Sequence, residues 1–157
     1  MKIASFFDDH FFSHGHTYEA HPLTLAPAIA SINEMKRLNL CERANEMGAY
    51  LGKKLKDLQP RHASIGEVRG IGMFWAVELV KNRATKAAFN TMADKVAGKP
   101  LLVDRVAARM MGNGVYIQSW ISHFVIAPPL IISKEDVDHG VAALDEALSL
   151  ADAEVER

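Results

Sequence analysis

Residues 64–80 read SIGEVRGIGMFWAVELV, and this stretch decides the fold class. Two β-rich segments flank the Arg69-Gly70-Ile71-Gly72 bend, and the second, Met73 to Val80, is an apolar run suited to a buried strand. The pattern predicts a strand, a sharp glycine turn or bulge, and a central strand. On the N-terminal side, Asn39 and Glu42 have capping-box spacing and open a helix whose stripe is Ala44, Met47, Leu51, Leu55 and Leu58. Lys53, Lys54 and Lys56 gather at its C-terminal end, where the helix dipole favours cations, and Pro60 ends it. On the other side, residues 81–100 are polar, with room for one or two helical turns. Leu102, Val106, Ala107 and Met110 then mark a helix that stops at Gly112-Asn113-Gly114. Val115 to Ile117 and His123 to Ala127 read as short strands, the second broken by Pro128-Pro129. Ser133 caps a long helix with Val137, Val141, Leu144, Leu148 and Val155 on one face. The expected fold is α+β: a small, mostly antiparallel sheet covered by helices.

The N-terminal quarter differs in character. Phe6, Phe7, Phe11 and Phe12 open the chain with no obvious element to cover them. SHGHTYEAHP, residues 13–22, is a polar stretch punctuated by Gly15 and Pro22 and reads as a loop. Leu23 to Leu38 is helical in pattern but apolar nearly all round, which is the signature of a helix buried on several faces. Thr24 as N-cap would place Pro27 in the harmless first turn.

The 157 residues, 49% hydrophobic and 24% charged, suit one folded unit rather than a disordered or fibrous chain. A net charge of −1 with no basic run gives no case for a nucleic-acid partner. Cys41, the single cysteine, cannot form an intrachain disulfide and is expected to serve helix packing. The N-terminus lacks the apolar core of a signal peptide, and no run reaches the roughly 20 apolar residues of a membrane span. A soluble, cytoplasmic protein is the expectation.

Four side chains or groups invite a chemical reading. His10, His14, His16 and His21 crowd the start, but none of the paired ligand spacings of zinc sites is present, so they read as loop histidines and no metal site is expected. Thr17, in a loop beside a helix start, offers a hydroxyl close to unpaired amides, an arrangement that suits an anion as well as a self-satisfied turn. Arg69, among apolar residues and two glycines, calls for a planar anion, either a substrate acid or an internal partner such as Glu67 or Glu78. Trp75, Trp120 and Phe124 read as core, and Glu154, Glu156 and Arg157 as a solvated tail.

HGHTYEAHPLTLAPAIA at 14–30 and VRGIGMFWAVEL at 68–79 resemble two signatures of the class III (omega) aminotransferases, pyridoxal-phosphate enzymes of fold type I. The likeness runs on through GVYIQSWISHFVIAPPLIISKEDVDHGVAALDEAL and is strongest to transaminases that pass the amino group of an omega-amino acid, taurine or β-alanine for example, to pyruvate. It implies that Thr17 binds the phosphate of the cofactor held by the neighbouring subunit of a dimer. It also implies that Arg69 clamps the substrate's carboxylate or sulfonate.

In such enzymes a lysine forms the Schiff base with the cofactor, and an aspartate and a glycine-rich turn complete its site, all upstream of the threonine motif. Only Lys2 precedes Thr17 here, and it matches no lysine motif. The resemblance therefore implies a C-terminal portion. Residues 1–38 would be a remnant of the large cofactor-binding domain, with the phosphate loop and an interdomain helix, and 39–157 the small domain. The family is one of enzymes, but no catalytic residue is assigned to this chain, which is expected to be inactive and not to retain the cofactor alone. A homo-oligomer, with omega-amino acid or amine and 2-oxo acid as substrates, is the partner expectation. The rival is a noncatalytic oligomerising domain left by a truncated gene or by proteolysis.

Overall fold

The computed structural model describes residues 4–156. These divide into two compact units, Met1–Asn39 and Leu40–Arg157; the ends Met1–Ile3 and Arg157, with Lys2 among them, lie outside the described residues.

The first unit holds a 3-10 turn, Ala4–Asp8, and helix α1, Pro22–Arg37. α1 starts three residues earlier than Thr24 as N-cap would place it. His21 is its N-cap, with Nδ1 accepting from the Leu23 amide at 3.3 Å, and Pro22 takes the first helical position, where a missing N–H costs nothing. Pro27 consequently lies in the second turn, inside the helix, where it forgoes one backbone bond. Thr24 instead donates its hydroxyl to the carbonyls of His21 (2.8 Å) and Tyr18 (3.1 Å). At the other end Asn39 does not cap the next helix. It adopts φ +48° after the last turn of α1, donating its amide to the Lys36 carbonyl, the left-handed role for which asparagine is suited after glycine.

The second unit contains α2 (Leu40–Leu58), β1 (Ile65–Ile71), β2 (Phe74–Leu79), α3 (Met92–Val96), α4 (Leu102–Gly112), β3 (Gln118–Trp120), β4 (His123–Ile126) and α5 (Lys134–Asp152). The four strands form one antiparallel sheet in the order β1-β2-β4-β3. The strand expected at Val115–Ile117 forms instead at Gln118–Trp120, because pairing begins only where Gln118 meets Val125. The bend expected at 69–72 narrows to Gly72 and Met73: Arg69, Gly70 and Ile71 stay in the ladder, and Gly72 turns the chain with φ +53°.

One sheet face carries Val68, Trp75, Val77 and Phe124, all buried, against the apolar stripe of α2 and the buried faces of α4 and α5. A register shift between Ile65 and Glu67 lets Ile65 and Val68, three apart, both point into this core. Trp75 sets the distance between α2 and the hairpin. A Cβ at Gly52 would overlap its indole, one at Gly48 would overlap the Gly72 carbonyl, and Trp75 Nε1 donates to that carbonyl at 2.7 Å.

Several assignments on the surface differ from expectation. Cys41 is exposed at the start of α2 rather than packed. Trp120 is 44% exposed, with the Lys95 ammonium 3.6 Å from its ring centroid, so it is a surface partner and not core. Val155 falls beyond the end of α5. Glu154 and Glu156 are not a free tail: they pair with Arg105 at 2.5 Å and Lys81 at 2.8 Å.

Candidate functional site

Thr17 opens a turn, residues 17–20, in which Tyr18 (φ 65°) and Ala20 (φ 57°) both take left-handed conformations. The turn closes through Glu19 N–H to the His16 carbonyl (3.1 Å) and His21 N–H to the Tyr18 carbonyl (3.2 Å). Glu19 reaches back so that its carboxylate accepts the His16 amide at 3.0 Å. These bonds fold the HGHTYEAH segment on itself. Among the described residues neither the Thr17 hydroxyl nor the amides of Thr17 and Tyr18 make a hydrogen bond, and Thr17 is exposed.

The amides of the α1 N-terminus, by contrast, are taken. Leu23 donates to His21 Nδ1, and Thr24 and Leu25 donate to the His21 carbonyl. In the turn, by comparison, one hydroxyl and two amides, those of Thr17 and Tyr18, are without a partner among the described residues.

The histidines sit in a run of ring contacts. His10 stacks on Phe6 with centroids 4.0 Å apart and bonds its carbonyl through Nδ1 at 2.7 Å, His14 meets Phe12, and His14 and His16 meet edge to face at 4.5 Å. No group of three or more His, Cys, Asp or Glu side chains among the described residues could hold a metal ion. Phe11 is 90% exposed, and α1 buries none of its residues although its sequence is apolar nearly all round.

Arg69 lies in the other unit, on the sheet face away from the core. Its Nη1 is 2.6 Å from Glu78 Oε2 and 3.1 Å from Glu67 Oε2, and Glu67 and Glu78 are direct register partners across β1 and β2. The two glutamates would repel each other in this register, and the guanidinium between them removes that conflict. The hydrogen bond that Arg69 donates to Glu78, ahead of the charges of both glutamates, holds the guanidinium more firmly protonated than usual. The internal pair foreseen for Arg69 is thus formed. Nε and Nη2 make no hydrogen bond among the described residues, so that edge of the fork is uncommitted.

A cavity of about 470 Å³ opens between α2, α5 and the segments flanking the β3–β4 hairpin; Leu55, Val115, Ile117, Pro129, Val137 and Leu144 are among its lining. Its lining is mostly apolar, with Gln118 and Asp136 among it, and includes neither Thr17 nor Arg69.

Comparison with known proteins gives a family to the chain that holds this helix-covered antiparallel domain and the Thr17 turn. The profile of Aminotransferase class-III matches residues 2–148, and the chain belongs to that family. It is similar to the taurine–pyruvate aminotransferase of Bilophila wadsworthia, at 34% identity over 79% of this chain and 27% of that protein. It is also similar to the leucine/methionine racemase of Thermococcus litoralis, at 34% identity over 87% and 29%. Among solved structures, taurine:2-oxoglutarate aminotransferase from Bifidobacterium kashiwanohense, in complex with pyridoxal phosphate (PLP) and glutamate, aligns with a TM-score of 0.77 and 28% identity, over 99% of this chain and 34% of that one. The chain thus spans about three tenths of the length of the relatives it matches.

The turn fits one end of pyridoxal phosphate. A free hydroxyl and two free amides suit its phosphate, whereas nothing in the turn suits its aldehyde, which requires an amine. No helix among the described residues is long and apolar enough to cross a membrane.

Proposed function

We propose that this chain contributes to a transaminase that moves an amino group from an omega-amino acid or amine to a 2-oxo acid such as pyruvate. In this reading residues 1–38 belong with the large domain and 39–157 form the small domain. The observation that carries it is the Thr17 turn, whose uncommitted hydroxyl and amides lie within the residues, 2–148, that match the family. Thr17 would hold the cofactor phosphate from across a subunit interface, with the Thr17 and Tyr18 amides beside it. When bound, the cofactor supplies the electron sink for the transfer. This chain's part is to anchor and orient it, because phosphate bonded by a hydroxyl and two amides fixes the ring's position without taking part in the chemistry.

The dimer, the cytoplasmic location and the omega-amino substrate belong to the same reading. The exposed aromatic start and the apolar, uncovered α1 support an assembly, since uncovered apolar surface of this kind marks an interaction site. The lone cysteine supports a reducing compartment. The isolated chain is expected to be inactive, because none of its residues is assigned the covalent role.

Arg69 supports a second reading. Its pairing with Glu78 and Glu67 makes it a strut of the β1–β2 hairpin, and contact with a substrate acid would fall to its free Nε and Nη2 edge. A chimera separates these roles: residues 1–157 replace the matching segment of the Bilophila taurine–pyruvate aminotransferase, and Thr17→Ala and Arg69→Lys are made in it. Loss of a hydrogen bond to a charged phosphate, about 1.5–3 kcal/mol, weakens cofactor retention by about ten- to hundredfold in Thr17→Ala. Unchanged retention counts against the phosphate role. A raised KM for the acidic substrate in Arg69→Lys, with unchanged folding stability, supports the clamp, and an unchanged KM leaves Arg69 as the strut.

A further inference from the structure

His62 sits in the connection between α2 and β1 with 7% of its surface exposed, and the proposed chemistry does not use it. Its Nδ1 is 2.7 Å from Asp152 Oδ2, and its Nε2 is 2.7 Å from Asp145 Oδ1. Both aspartates come from α5, about two turns apart on one face. Asp152 Oδ1 also accepts the Ser64 amide at 2.9 Å and the Ser64 hydroxyl at 2.7 Å, and Asp145 Oδ2 accepts Arg61 at 2.6 Å. From the stretch after β2, Arg83 donates to the carbonyls of His62 (2.5 Å), Ile65 (2.9 Å) and Gln59. The charged groups around the ring are therefore Asp145, Asp152, Arg61 and Arg83, with Arg61 engaged by Asp145 and Arg83 turned to backbone carbonyls.

Burial works against charge on both aspartates. Hydrogen bonds outweigh it, from His62 and Arg61 at Asp145 and from Ser64 and His62 at Asp152, and hold both carboxyls below their ordinary range. An ionised carboxylate only accepts. Each ring nitrogen therefore faces a carboxylate oxygen that only accepts, an arrangement that a ring carrying hydrogen on both nitrogens satisfies. A neutral ring would turn a lone pair toward one carboxylate, replacing a charge-assisted bond with repulsion where water has little access.

We propose that His62 is a proton-dependent clasp that joins α5 to the α2–β1 corner. Protonated, it bridges Asp145 and Asp152. Deprotonated, it lets one go, which loosens the C-terminal half of α5 and the entry to β1, since Ser64 leads into Ile65 from the same anchor.

The test follows histidine ring nitrogens by NMR in the 157-residue chain while the urea midpoint is measured at each pH. Below the ring's titration, both nitrogens of His62 give the signals of protonated nitrogens. The midpoint then drops across the same pH interval in which the ring loses its proton, and this drop is absent in His62→Gln. Asp145→Asn retains the Asp152 and Ser64 contacts and offers the neutral ring an amide donor, so it shrinks the drop and serves if His62→Gln does not fold. A midpoint that stays flat while the ring deprotonates overturns the proposal, as does an equal drop in either variant.

Discussion

Arg69 Nη1 lies 2.6 Å from Oε2 of Glu78 across the β1–β2 ladder, in a register that also sets Glu67 directly opposite Glu78. Both side chains are substantially solvated, at 49% and 36% exposure, so screening limits the pair to about 0.2–1 kcal/mol. A double-mutant cycle with Arg69→Ala and Glu78→Ala, read as urea midpoints, is expected to return a coupling in that range that shrinks with added salt. A coupling of zero would remove the strut from the account.

The hairpin that carries this pair shows how far the sequence could be read. Its central strand is legible because Met73 to Val80 is apolar apart from Glu78, and the turn is legible because Gly72 is needed for its positive φ. The partner of Arg69 was not, since an arginine among apolar residues signals an anion without saying whose. The cap of α1 was misplaced because threonine is the commoner cap, whereas here His21 uses a ring nitrogen and the Thr24 hydroxyl turns back to carbonyls. Trp120 reads as core by size alone. Its place on a three-residue edge strand, beside Lys95, is a tertiary fact that strand periodicity does not encode. The contacts of His62 with Asp145 and Asp152 are not legible in the sequence because they join positions more than 80 residues apart and no motif links them.

Trp75 leaves no room on α2. In Gly52→Ala, the gain in helix propensity of about 1 kcal/mol is opposed by overlap with the indole, which forces the helix or the hairpin to move. A net loss of about 1–3 kcal/mol, measured by urea unfolding, is expected. Stabilisation would mean that α2 rides further from β2 than described.

Ile121 turns the β3–β4 hairpin with φ +50°, a conformation that a β-branched side chain tolerates poorly. Asparagine takes it more readily and does not bring the added chain entropy of glycine. Ile121→Asn is expected to raise stability by about 1 kcal/mol, seen as a higher midpoint with an unchanged denaturant slope. A lower midpoint would show that the Ile121 side chain contributes more by packing than its backbone loses by strain.

Acid should weaken the second unit in a specific way. Asp145 and Asp152 are held below their ordinary range for the reasons given above, and the Lys99 bond, followed by those from Thr91, lowers Asp94 to about 2. A carboxyl depressed by folding stabilises above its unfolded value, about 3.9, and that stabilisation fades as pH falls through the folded value. The urea midpoint is therefore expected to decline from about pH 5 toward pH 2. The decline should be shallower in an Asp145→Asn, Asp152→Asn double variant. A decline of equal steepness in both would locate the acid sensitivity elsewhere.

On the proposed reading Thr17 is the phosphate contact of a transaminase, and no lysine of residues 1–157 takes the covalent role. The most direct measurement incubates the 157-residue chain with pyridoxal phosphate, dialyses it, treats it with borohydride and weighs it intact. The account predicts the unmodified mass, with no cofactor absorbance retained after dialysis. A chain carrying one reduced cofactor on a lysine, with absorbance that survived dialysis, would contradict it.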